Sequence, residues 1–141
     1  MLQRGRANRS IWLLAASLAA ALPASAHHSI AAIYDSAKRL TLEGSVTEFH
    51  FVNPHPFLIV DVPGRGGAPE SWRLELDNRW ELSEIGITSD TFRPGDRVVV
   101  SGSAGRTQPR TLYLLRLDRT PDGLRYEQIG YSPHISTQVD R

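Results

Sequence analysis

The chain contains no cysteine, and its only methionine is Met1. Disulfides are therefore excluded, even for a compartment that would permit them, and so are thiolate and thioether metal ligands. This removes the soft-ligand routes to copper(I) and to structural zinc. Long apolar runs are scarce. The longest, residues 11–22, is 12 residues, well short of the roughly 20 that cross a bilayer as a helix. A strong charge bias is missing too: 16 Lys and Arg stand against 15 Asp and Glu. That balance gives no electrostatic case for nucleic acid or an anionic membrane as partner. Catalytic signatures are equally thin. "SGSAG" lacks the G-x-S-x-G order of a nucleophile elbow, and "GRGG" lacks the Lys-Ser/Thr of a phosphate loop. The sequence favours a binding protein over an enzyme.

What is present begins with a leader. A basic head carrying Arg4, Arg6 and Arg9 precedes the apolar stretch, and Ala24-Ser25-Ala26 closes it. This order reads as a cleavable signal peptide over residues 1–26, which implies a periplasmic or secreted protein without a stable membrane anchor. Cleavage there leaves 115 residues with 13 basic against 15 acidic side chains, enough for one small domain.

Residues 27–37 show no sustained period and read as a lead-in, expected to be poorly ordered unless something ties it down. In "RLTLEGSVTEFHF", Leu40, Leu42 and Val46 share one face, after which Phe49 and Phe51 move the apolar positions to the opposite parity. A β-bulge produces that change, and Gly44 suggests coiling. "PFLIVDVP" and "SWRLELD" read as two further strands in a hairpin. "NRWELSEIGI" is the one helical stretch, with Asn78 as N-cap, Gly86 as stop, and Trp80, Leu82, Ile85 and Ile87 as packing residues. After the "RPGD" turn, "RVVVSGS" and "TLYLLRLDR" supply a fourth and a fifth strand. A long coiled first strand, with a helix between strands three and four, predicts an all-β fold with one short helix. The expected architecture is a small five-stranded OB-like barrel over residues 38–120, followed by a polar tail over 121–141.

The chemistry lies in five histidines. Cleavage after Ala26 would make His27 the first residue, with an α-amine whose ordinary pKa of about 8 lets it deprotonate for a metal far more readily than a lysine. His27 would then offer two nitrogens. His55, between Pro54 and Pro56, is a second candidate on a preorganised loop, and His28 and His50 are supporting candidates. Nitrogen-only ligation suits copper(II) first, then zinc or nickel. Taken singly, each histidine also has an ordinary structural reading: His50 as the polar face of a strand, His55 as a turn residue. Asp77 is a candidate partner for a metal-bound imidazole or simply an acid at a helix start. Trp72 and Trp80 read as core, and His134 has no assignment. The leading expectation is metal carriage or sequestration. Its competitors are a module binding a small ligand or a protein partner and, third, a copper-dependent redox enzyme.

His27-His28-Ser29, the stretch from Thr41 to Val46, Asn53-Pro54-His55, Trp72, Gly86-Ile87-Thr88 and Pro94-Gly95-Asp96 together resemble a family of small exported bacterial proteins of unknown function. Where that family often has phenylalanine after His-His-Ser, this chain has Ile30. The resemblance implies export and an N-terminal His-His, but no activity. Amine-plus-imidazole ligation is similar in ligand type to the histidine brace of exported copper proteins.

Overall fold

The structure, a computed structural model, describes residues 29–137. The leader, His27 and His28 therefore lie outside the described residues. Within them, no helix is long and apolar enough to cross a membrane.

The chain enters through one helical turn, α1 (Ile30–Ile33), and passes directly into β1 (Tyr34–His50). The lead-in expected over 27–37 is thus strand from Tyr34 onward, and a residue far along the chain ties it down. The Arg106 backbone N–H donates to the Ile33 carbonyl at 2.8 Å, and its Nε donates to the Ala31 carbonyl at 3.0 Å. Tyr34 is buried, and its hydroxyl donates to Glu75 at 2.7 Å.

β1 is long enough to serve two neighbours. It pairs antiparallel with β4 (Arg97–Gly105) from Tyr34 to Ser45, then with β2 (Phe57–Pro63) from Ser45 to His50. The crossing needs a close approach at Gly44, where a Cβ would collide with the Asp61 carbonyl and the Val60 side chain. A register shift between Val46 and Glu48 supplies the expected change of parity, so that Phe49 and Phe51 pack against the core beyond it.

β2 and β3 (Pro69–Glu75) form an unbroken hairpin register from Phe57 opposite Glu75 to Pro63 opposite Pro69. β4 pairs with β5 (Thr111–Arg119), and β5 pairs in parallel with β3 through Arg73 to Glu75 and Thr111 to Tyr113. This last pairing closes the ring β1-β2-β3-β5-β4. Between β3 and β4 lies α2 (Arg79–Glu84), so the architecture is a five-stranded OB-type barrel. Leu58, Val60, Leu74, Val100, Leu112 and Leu114 are fully buried in its core.

α2 turns Leu82 into the core, and beyond it Ile87 is buried as well. Gly86, with φ at +91°, ends the helix where a side chain would be strained. Trp80, expected in the core, is instead 68% exposed. It lies two positions from Leu82, and residues so spaced do not share a helix face. The tail expected over 121–141 is corrected more substantially. β6 (Leu124–Ile129) pairs with β5, and β7 (Ser132–Thr137) pairs with β6, extending the sheet to seven strands. Leu124 and Tyr126 point inward, while the Arg125 Nε donates to Asp118 at 2.5 Å. Leu124 and Tyr126 alternate but Ile129 breaks their parity, too irregular a pattern among polar residues to read as a strand.

Replacing Gly44 with valine should lower stability by about 1–3 kcal/mol, the usual cost of overpacking. Urea unfolding of the two proteins measures this, and an unchanged midpoint would show that β1 does not need the close approach.

Candidate functional site

One end of the barrel holds a cavity of about 680 Å³. It is lined by Ile30 of α1, Pro54 and His55 of the β1–β2 loop, Asp77, Asn78 and Glu81 at the start of α2, Tyr113 of β5, and Gln128, Gly130 and Tyr131 of the β6–β7 hairpin. No lysine or arginine is among these residues, so the lining is acidic with a single imidazole.

The two prolines around His55 fix it by what they accept. The Pro56 carbonyl accepts the Leu76 N–H at 2.9 Å, and the Pro54 carbonyl accepts the Arg79 N–H at 3.1 Å. The loop is thereby bonded to the entry of α2, with His55 held between. The His55 Nδ1 is buried and has no hydrogen-bond partner.

The helix start decides the carboxylates. The Asn78 side chain caps α2 by accepting the Glu81 N–H at 2.9 Å. With this Asn-x-x-Glu spacing, the glutamate would ordinarily reach back to the N-cap N–H. Here Asp77 takes that position, its Oδ1 accepting the Asn78 N–H at 2.7 Å. The other oxygen of Asp77 accepts from Gln128 Nε2 at 2.6 Å, and Gln128 Oε1 accepts the Tyr126 hydroxyl at 2.9 Å. Asp77 is engaged at both oxygens, whereas Glu81 Oε2 is buried without a partner. An unsatisfied buried polar atom costs about 1–3 kcal/mol, and more if charged, so two in one cavity call for an explanation.

Tyrosines complete the wall. Burial pushes the Tyr113 hydroxyl above its ordinary pKa, and the charges of Asp77, Glu75 and Glu81 push it further. Tyr126 is raised by burial and by Tyr113 and Asp77, and Tyr34 by burial and its bond to Glu75. All three remain neutral phenols at physiological pH, so Tyr113 presents a hydroxyl rather than a phenolate to the cavity.

Of the histidines singled out in the sequence, His55 is in the cavity. His27 and His28 lie outside the described residues, but Ile30, three positions after His27, lines the same cavity. His50 does not line it. Its partner across the sheet is Phe57, on which its ring stacks at 4.3 Å, and its Nε2 lies 2.5 Å from Glu48. His134 is exposed on β7 opposite Glu127. Among the described residues, no three His, Cys, Asp or Glu side chains group so as to hold a metal ion. Glu81, Tyr113, Gln128 and Tyr131 were not among the sequence candidates. Glu81 carried no assignment in the sequence, and the alternation of Leu124, Tyr126 and Gln128 before Gly130 was the faint signal for the hairpin.

Residues 15–112 match the Family of unknown function (DUF6152). The chain belongs to this family. The matched span contains His27, His28, His55, Asp77 and Glu81 and ends one residue before Tyr113, so the β6–β7 hairpin with Gln128 and Tyr131 lies beyond it. No curated protein matches the chain. Among solved structures, a dimeric structure of the N-terminal domain of PriB protein from Thermoanaerobacter tencongensis matches with a TM-score of 0.41 at 20% identity. That match covers 61% of this chain and 99% of the other.

Substituting Gln128 with alanine should destabilise the protein by about 1.5–3 kcal/mol, because it removes a hydrogen bond to the Asp77 carboxylate. Chemical denaturation measures the loss, and wild-type stability would mean that the hairpin does not anchor Asp77.

Proposed function

We propose that this protein is exported, processed after Ala26, and binds a divalent metal ion, copper(II) in preference, between its new N-terminus and His55. Its role on this reading is carriage or sequestration. One observation carries the proposal: an unpaired, buried nitrogen of His55 in a cavity that Ile30 also lines. From Ile30, three residues of chain reach about 10 Å, enough to bring His27 over that cavity. Processing gives His27 an amine as well as an imidazole, and His55 adds a third nitrogen. Nitrogen donors in a chain without sulfur ligands suit copper(II), with zinc or nickel after it. His28 is adjacent and supports the set, while His50 is committed to Glu48 and Phe57 and stays outside it. The cavity volume favours a second reading, a module for a small ligand, since about 300–1,000 Å³ is the usual range of such pockets.

The test uses protein recovered after export, with its N-terminus verified by mass as His27, titrated with copper(II) under electron paramagnetic resonance. Binding tighter than about 1 μM with a nitrogen-rich spectrum is expected. One glycine placed ahead of His27, or His55→Ala, should weaken it by about tenfold or more. Binding only above the micromolar range sinks the metal reading and leaves the small-ligand one.

A further inference from the structure

We infer that the cavity at the end of the barrel recognises a small quaternary ammonium cation, held by tyrosine faces and by the field of carboxylates that no basic side chain neutralises. The inference rests on the small-ligand reading of the cavity, not on the metal one, and names the chemical class of that ligand. Charge is sorted along the stretch that leads into the cavity. Arg73, Glu75, Asp77, Arg79 and Glu81 occupy every second position from β3 into α2. Both arginines are drawn onto phenylalanines: the Arg73 guanidinium lies 3.4 Å from the centre of the Phe57 ring, and that of Arg79 lies 4.9 Å from the centre of the Phe51 ring. Among the described residues, none of the three acids forms an ion pair with Lys, Arg or His. Tyr113 records the result. Burial and then the charges of Asp77, Glu75 and Glu81 push its hydroxyl up, and no neighbouring cation opposes them.

The kind of cation follows from what the cavity offers. Its volume of about 680 Å³ suits a molecule of several atoms rather than a bare ion. The described acids and histidine do not group tightly enough to coordinate a metal ion, but a negative field focused in a cleft acts on a cation without such contact. Ile30 and Pro54 supply apolar wall for alkyl groups, and Tyr113 and Tyr131 supply rings. Tyr131 is 97% exposed, so its face is open to a ligand, and a cation over such a face is attracted by the ring quadrupole. A primary ammonium would bring three N–H donors, each needing an acceptor. Both Asp77 oxygens and the Asn78 side-chain oxygen already accept hydrogen bonds, while Glu81 Oε2 and His55 Nδ1 are buried. A quaternary ammonium carries no N–H, so aromatic faces and a negative field satisfy it.

Calorimetric titration of the chain recovered after export, with choline as the probe, tests this. Choline should bind with a Kd below about 1 mM, and more weakly as salt is raised. Its uncharged isostere, with a tert-butyl group in place of the trimethylammonium, should bind about tenfold more weakly or worse, and so should ethanolamine, its primary-amine counterpart. Tyr131→Ala, at an exposed position, should weaken choline binding by about three- to tenfold, whereas Tyr131→Phe, which keeps the ring, should leave it unchanged. Glu81→Gln should weaken it by about threefold or more at low salt. The melting temperature of each variant separates lost binding from lost folding. Equal binding of the uncharged isostere overturns the inference and leaves the small-ligand reading standing. Ethanolamine binding as tightly as choline overturns the quaternary assignment, and unchanged choline affinity in Tyr131→Ala or in folded Glu81→Gln overturns the proposed means of recognition. Absence of binding by all three compounds overturns this inference and the small-ligand reading together.

Discussion

The structure depends on a parallel pairing only three residues long. Arg73, Leu74 and Glu75 of β3 lie beside Thr111, Leu112 and Tyr113 of β5, with the Arg73 N–H also donating to the Arg110 carbonyl at 3.0 Å. Without it, β3 would be an exposed edge and the sheet an open ribbon. With it, Leu74 and Leu112 meet in the core, and Tyr113 stands beside Glu75 at the end of the barrel where α2 begins. The acidic cavity is thus a consequence of closure. Part of its wall follows directly from the closing pair: Glu75 leads to Asp77 and the helix cap, and Tyr113 lies on the other strand.

The barrel was largely legible because its signals are local. Alternation in "SWRLELD", the glycine at 44 and the parity change at Phe49 report strand geometry within a few residues, and Asn78 and Gly86 mark the helix ends by their own backbone preferences. The features that escaped depend on partners distant in sequence. Nothing in "SIAAIYD" announces that Arg106 will clasp it, and nothing in "RYEQIG" announces that Gln128 will hold Asp77 across 51 positions. The site divides along the same line. His55 between two prolines stands out by itself. That Glu81 Oε2 is left without a partner is visible only when the fate of one N–H, that of Asn78, is known. His50 shows the converse, since a histidine of plausible spacing is claimed by the phenylalanine directly across the sheet.

Two carboxylates four positions apart, Asp77 and Glu81, consequently have opposite characters. Asp77 sits at the crossing of three elements: it closes the helix cap, receives the β6–β7 hairpin through Gln128, and is linked through that residue to the buried Tyr126 hydroxyl. Both of its oxygens accept hydrogen bonds, which stabilises the folded state. Glu81 is held by the same helix turn but receives none at Oε2. A protein selected for stability alone would let Glu81 complete the cap and spare the aspartate. The unsatisfied atoms of Glu81 and His55, on two residues that line one cavity, are a cost to folding that no described contact offsets.

Processing of the N-terminus adds a condition of timing to the proposed function. Arg106 fixes α1 to the barrel through the Ala31 and Ile33 carbonyls. While a leader precedes His27, its backbone nitrogen is an amide, a poor ligand that would need deprotonation far above physiological pH. On the proposed reading, cleavage would convert the same atom into an amine of ordinary pKa about 8, whose proton a cation can displace. His55 alone would offer a divalent ion a single nitrogen, too few to compete with other ligands in the cell. On this reading the proposed site gains its amine only where the leader is removed, so capture of the metal would be confined to that side.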